Sequence, residues 1–111
     1  MNTDIKIIIS KDFTDAPGAR DRSDGDNSGQ EFFEDILKPK FIEAQEKNVK
    51  LIVDFDDSWG YASSFLSGAF GRLADDFGKN SVLARLVIIS DDDSTLHDKI
   101  PAEINKSENN A

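Results

Sequence analysis

The sequence contains no cysteine and a single histidine, His97. That excludes disulfides, thiolate catalysis and thiolate metal sites, and it excludes a two-histidine metal cluster. Any chemistry must therefore come from Asp, Glu, Ser, Thr, Lys, Arg or Tyr. No apolar run approaches the roughly 20 residues that a membrane-spanning helix needs. The opening Met1-Asn-Thr-Asp4 also lacks the basic and apolar regions of a secretory signal, so a soluble, cytoplasmic protein is expected. Positive charge is scarce too: 13 Lys+Arg stand against 22 Asp+Glu, a formal net charge of −9. Such a field repels phosphate backbones and anionic lipid surfaces, which argues against nucleic-acid and membrane partners. What remains is a chain of 111 residues, 38% hydrophobic with eight Phe, enough for one modest core.

Residues 4–10 read as a strand, with Ile5, Ile7 and Ile9 alternating against Lys6 and Ile8. Both of its faces are apolar in the middle, as in a sheet covered on both sides. Lys11 to Asn27 shows no periodicity and reads as a long loop. Ser28 and Glu31 have capping-box spacing, which starts a helix. Over 29–47 Phe33, Ile36, Leu37, Phe41 and Ala44 share one side, and Pro39 predicts a kink or a break. A second strand is expected over 49–55 and a turn over 56–61. A helix follows over 62–77, ending at Gly78, and a third strand over 83–90. A short last helix begins near Asp91 and stops before Pro101, leaving 102–111 as a disordered polar tail.

The β-α-β-α-β-α order predicts a single α/β domain over 1–101, with helices packed on a mostly parallel or mixed central sheet. In such sheets ligands gather at the carboxyl ends of the strands, here 10–22, 54–61 and 90–93. Asp54, Asp56 and Asp57 lie at the end of the second strand, and Asp92 follows the third. Two readings fit these acids. They hold a hard divalent cation such as Mg²⁺, which would support phosphoryl transfer or hydrolysis, or they accept backbone N–H groups in a turn.

The helix over 62–77 puts Phe65, Leu66, Ala69, Phe70, Leu73 and Phe77 on one side of the wheel. Ser64, Ser67, Gly68, Gly71 and Asp75 fall opposite. Two glycines in a helix each cost about 1 kcal/mol relative to Ala. Either a partner surface approaches this small, flat face or the glycines permit close packing inside the domain. Ser63 falls near the edge of the buried side, as a cap, and Ser64 is expected to be exposed in the first turn, where a helix N-terminus favours phosphate. Arg20 and Arg22 suit bidentate contact with an oxyanion or a partner carboxylate, or pairing with nearby acids. Trp59 and Tyr61 are expected to seal the core rather than form a recognition patch, and His97 to face solvent.

The blocks Ile5-Lys-Ile-Ile-Ile-Ser-Lys-Asp-Phe13, Pro17-Gly-Ala-Arg20, Ser28-Gly-Gln-Glu-Phe32, Val53-Asp-Phe-Asp56, Gly60-Tyr-Ala-Ser-Ser-Phe-Leu66 and Ala69-Phe-Gly-Arg72 resemble, in order, the STAS-like domain family of unknown function. That family is more distantly similar to the STAS domains of bacterial anti-sigma-factor antagonists. There an Asp-Ser-Ser-Gly-Leu motif precedes a helix, and one of its serines is phosphorylated by a histidine-kinase-like ATPase. The resemblance puts Ser64 at the phosphorylated position, while Ala62 and Phe65 replace the motif's Asp and Gly. It implies an interaction module with an ATPase as partner and Ser63 as the second candidate acceptor; the wheel and the loop arginine supply the partner face, Ser64, Ser67, Gly68, Gly71, Asp75 and Arg20, and neither catalysis nor a cofactor is expected. A structural adaptor without a switch is the alternative within the same fold.

Overall fold

A computed structural model describes residues 3–111. Three short β-rich segments form strands β1 (Ile5–Ile8), β2 (Leu51–Asp54) and β3 (Leu86–Ile89). They lie in one parallel sheet in the order β1-β2-β3, with Ile5, Leu51 and Leu86 in register. Both connections step in the same direction across the sheet. Because parallel crossovers are right-handed, both then run over the same face.

Burial agrees with that rule. Ile7, Leu51 and Val53 belong to the core, and Leu86 and Ile88 pack against it. The opposite parity, Lys6, Ile8, Ile52, Asp54, Val87 and Ile89, turns to the other face, where no residue is buried. The expectation of a sheet covered on both sides is thus corrected: β-branched residues are here on both parities, but the helices lie over one.

Beyond Ile8 the chain turns into a short helix, α1 (Ile9–Asp12), in place of the longer strand expected. The Asp12 carboxylate reaches back to accept the Ile8 N–H at 2.7 Å. Residues 13–27 contain a single 3-10 turn, Arg22–Asp24, reciprocally capped by Asp21 and Asp24. This loop is pinned by Gly29 N–H donating to Ala19 O and Gln30 N–H to Arg20 O, at 2.8 and 2.9 Å.

Ser28 Oγ accepts the Glu31 N–H at 3.0 Å, as its spacing predicted, whereas the Glu31 carboxylate takes the N–H of Asn27, one residue earlier than in a capping box. The helix that follows has three parts: α2 (Gly29–Phe32), a π turn (Phe33–Leu37) and α3 (Lys38–Lys47). Pro39 sits in the first turn of α3, so the irregularity lies just ahead of it. A wider i→i+5 turn relieves the clash between the proline ring and the preceding carbonyls.

The next helix is built alike, from α4 (Ser63–Leu66), a π turn (Ser67–Gly71) and α5 (Arg72–Phe77). One extra residue in a π turn moves every later side chain round the axis by roughly one residue's rotation, ~100°. Ala74 is consequently buried and Asp76 exposed, contrary to a uniform 3.6-residue wheel.

After Gly78, whose φ is 96°, helix α6 (Lys79–Arg85) takes up residues assigned from sequence to the third strand. Val82 is fully buried, and Arg85 donates to the carbonyls of Ala44 and Val49 at 3.2 and 2.7 Å. An apolar run this short fits helix or strand equally well, and packing decides.

Helix α7 (Leu96–Asn105) runs through Pro101 instead of stopping before it. A proline inside a helix costs about 3 kcal/mol. Burying Ile104 completely returns ~1.5–3 kcal/mol. Beyond it, Ser107 Oγ donates to Asp75 at 2.7 Å and Asn109 Nδ2 to the Asp75 carbonyl at 3.0 Å, each bond worth about 0.5–1.5 kcal/mol. The tail expected to be disordered is therefore tied down, and its Ser and Asn side chains serve the end of α5. The 29–47 and 96–105 helices flank the 63–77 helix, which lies between them in the helical layer.

Candidate functional site

The outer face of the 63–77 helix forms the floor of a depression of about 310 Å³. Arg20 approaches from the loop after β1, and Glu103, Lys106 and Ser107 form the wall at the end of α7. Five residues read from sequence as a partner face, Arg20, Ser67, Gly68, Gly71 and Asp75, meet here. Ser64 is not among the lining residues; it lies one turn earlier.

Gly68 and Gly71 serve different ends. Gly68 is buried, and a Cβ there would collide with the carbonyl oxygen of Arg20, so this glycine lets the loop cross the helix. Close packing within the domain accounts for it. At Gly71 a Cβ would meet only Ser67 Oγ, at 3.7 Å. Its lack of a side chain leaves the floor open without any packing demand.

The cations around the depression are unequally engaged. Arg22 donates to Glu34 at 2.7 Å and Asp35 at 3.0 Å, holding the Glu34 carboxyl below its usual range, so it is consumed within the domain. Arg72 pairs with Asp21, and its Nε is buried with no hydrogen-bond partner among the described residues. Lys106 pairs with Glu103 at 2.9 Å. Arg20 is exposed, and its guanidinium makes no ion pair or hydrogen bond among the described residues. Sequence reasoning missed Glu103, Lys106 and Ser107 because their polar segment reads as a tail. Arg72 was visible only as part of a resembling block.

The serines are placed in reverse of their expected order. Ser63 is exposed and Ser64 half-buried, and neither caps the helix: Ala62 occupies the cap position with no side-chain bond. The wheel misjudged them because the helix begins at Ser63, with Ala62 still in an extended conformation.

The acids after β2 and β3 hold one another's loops. Asp56 accepts the N–H groups of Asp91 and Asp92 at 2.8 and 2.9 Å, Asp92 accepts that of Asp57 at 2.9 Å, and Asp54 that of Asp56 at 2.9 Å. Asp57 takes a left-handed φ of 63°. The oxygens point to backbone donors, and no group of three or more His, Asp or Glu among the described residues is arranged to hold a metal ion.

Trp59 does not seal the core. It is 87% exposed, because Gly60, at φ 123°, turns the chain so that only Tyr61 reaches the Phe55 and Phe65 rings. The Tyr61 hydroxyl is buried with no hydrogen-bond partner among the described residues. Burial pushes its pKa up to about 12; nearby Ser58 opposes the rise, and the charges of Asp54 and Asp56 add to it. Tyr61 is the sole tyrosine, so an ultraviolet titration reads it alone. The expected midpoint is near pH 12 in the folded protein, and a midpoint at the free-phenol value of ~10 would refute the burial. A raised pKa stabilises the fold fully below pH ~10, and that contribution is lost as pH climbs towards 12. His97 is exposed, as expected, with Nε2 3.2 Å from the Ser90 carbonyl oxygen.

A parallel sheet overlaid on one face by helices, with a shallow polar depression on the helical side, defines a small α/β domain. The chain belongs to the family described as the STAS-like domain of unknown function (DUF4325), whose sequence model matches residues 28–96. The match starts at the cap of α2 and ends at the start of α7. Thus β1, Arg20 and the α7 wall of the depression lie outside it, although the first two fall within blocks that resemble the family. No curated protein and no solved structure gives a significant match. Among the described residues no helix is long and apolar enough to cross a membrane.

Proposed function

We propose that this chain is a non-catalytic protein-interaction module of the partner-switching type, and that its partner surface is the depression over the 63–77 helix. The observation that carries this reading is the convergence of Arg20, Ser67, Gly71 and Asp75 on one floor, with an unengaged guanidinium at its rim. Gly71 supports it further, since a helical glycine that nothing packs against is a cost with no return inside the domain. By family resemblance the partner is a histidine-kinase-like ATPase, and Ser64 is the phosphoacceptor, with Ser63 as the more exposed second candidate. A phosphate carries about −1.5 to −2 charges. Placed one turn from the depression, it would weaken a complementary partner surface through repulsion and desolvation while leaving the fold intact.

The test pairs this chain with such an ATPase from its own cell and reads retention on a column, with intact mass measured after incubation with ATP. Gly71→Arg should fill the floor and weaken retention by about tenfold or more, as expected of a residue at the centre of an interface, with the melting temperature little changed. Ser64→Ala should abolish the added phosphate and Ser64→Asp should weaken retention. If Gly71→Arg and Ser64→Asp hold the ATPase as well as wild type does, and no phosphoserine forms, the reading fails.

A further inference from the structure

The sheet presents a second surface, independent of the depression and on the other side of the molecule. On its uncovered face Ile8, Ile52, Val87 and Ile89 stand together, and Val87 is 38% exposed. Registration puts Lys6, Ile52 and Val87 in one row and Ile8, Asp54 and Ile89 in the next. A half-buried carboxylate, Asp54, is therefore set between two isoleucines. Beyond it, at the carboxyl ends of the strands, follow Asp56, Asp91 and Asp92. The surface is an apolar plateau with the exposed Lys6 at one corner, an acidic centre and an acidic end.

We propose that one amphipathic helix of a partner protein, with basic residues beside its apolar stripe, docks on this face. Size supports the assignment. The outer strands of a three-stranded sheet are about 10 Å apart and a helix is ~10–12 Å wide, so a single helix covers the plateau. Charge supports it as well: lysine or arginine on the flank of that helix meets Asp54 and the acidic end, and long basic side chains lay their stems along the isoleucines. A second copy of this chain is a poor occupant. Three four-residue strands make a plateau of roughly 10 by 13 Å, far below the ~800 Å² per partner of a standard interface. Two chains of formal charge −9 would also repel each other.

The probe is a synthetic amphipathic helix of leucine and lysine, compared with its leucine and glutamate counterpart and followed by amide chemical shifts of the labelled protein. Shifts are expected at Lys6, Ile8, Ile52, Val87 and Ile89 and not at Ser67 or Gly71, with the glutamate peptide at least about tenfold weaker. Val87→Asp separates docking from mere charge attraction. It adds a negative charge, so binding of the lysine peptide should rise if attraction is purely electrostatic and fall about tenfold if the apolar plateau is the seat. Val87→Thr keeps the strand former and the shape, and should weaken binding in the same direction should the Asp variant unfold. Shifts confined to the depression, equal binding of both peptides, or undiminished binding by the Val87 variants would overturn the proposal. So would a concentration-dependent dimer in sedimentation that Val87→Asp dissolves, since the face would then belong to a second copy. None of these results depends on the ATPase or on Ser64.

Discussion

Phe70→Ala is expected to lower the unfolding free energy by about 3–5 kcal/mol, a large share of the ~5–15 kcal/mol that holds a domain of this size. Phe70 is fully buried in the π turn of the 63–77 helix. Its ring lies 6.4 Å from that of Phe32 and 5.6 Å from that of Phe55, so it joins the first crossover helix to the residue just after β2. Truncation removes apolar surface from the point where both crossovers and the sheet meet, and the backbone around a π turn cannot collapse freely into the space. Urea unfolding should show a lower midpoint with an unchanged slope. A loss under about 1 kcal/mol would mean that this ring is not the centre of the core.

Gly29→Ala should produce the second large loss, about 1–3 kcal/mol or more, although it adds a single methyl group and improves intrinsic helix propensity. Gly29 faces the backbone of the neighbouring helix. A Cβ there would collide with the Phe65 carbonyl oxygen and lie 2.9 Å from Ala69 N and 3.0 Å from Gly68 C. None of these atoms belongs to a flexible side chain, so the two helices must separate. Gly71→Ala is the contrast, since its methyl group meets only Ser67 Oγ, at ordinary distance, and it should stabilise by up to ~1 kcal/mol. Opposite signs in the two melting shifts would confirm that one glycine serves packing and the other leaves a surface open.

Much of this architecture is legible in the sequence where one signal dominates. The Ser28 cap, the Phe41 and Ala44 stripe, the buried Leu51 and Val53 and the Gly78 stop all lie where periodicity and turn chemistry put them. Errors arise where tertiary contacts choose between equal local options. Leu83 to Arg85 became helix because Arg85 reaches two carbonyls across the fold, and Ala102 to Asn105 became helix because Ile104 is buried. The depression was half legible for the same reason. Its floor follows from one helix wheel, but its α7 wall depends on a tail whose hydrogen bonds cannot be read from composition. The π turns are invisible to a wheel of constant pitch, and they govern which later residues face outward.

The parallel register has a kinetic consequence. Each ladder joins segments separated by an entire helical crossover, Ile5 to Leu51 and Leu51 to Leu86, so no strand pair can form as a local hairpin. Such non-local pairing slows folding, because loop closure must precede any reward from the contact. While it waits, the chain exposes two segments rich in isoleucine and valine, around β1 and β3, that could pair with the same segments of other chains. Asp4, Lys6 and Asp12 interrupt or flank the first, and Arg85 and Asp91 flank the second. These charges act as gatekeepers during synthesis, when the native partner strand has not yet arrived.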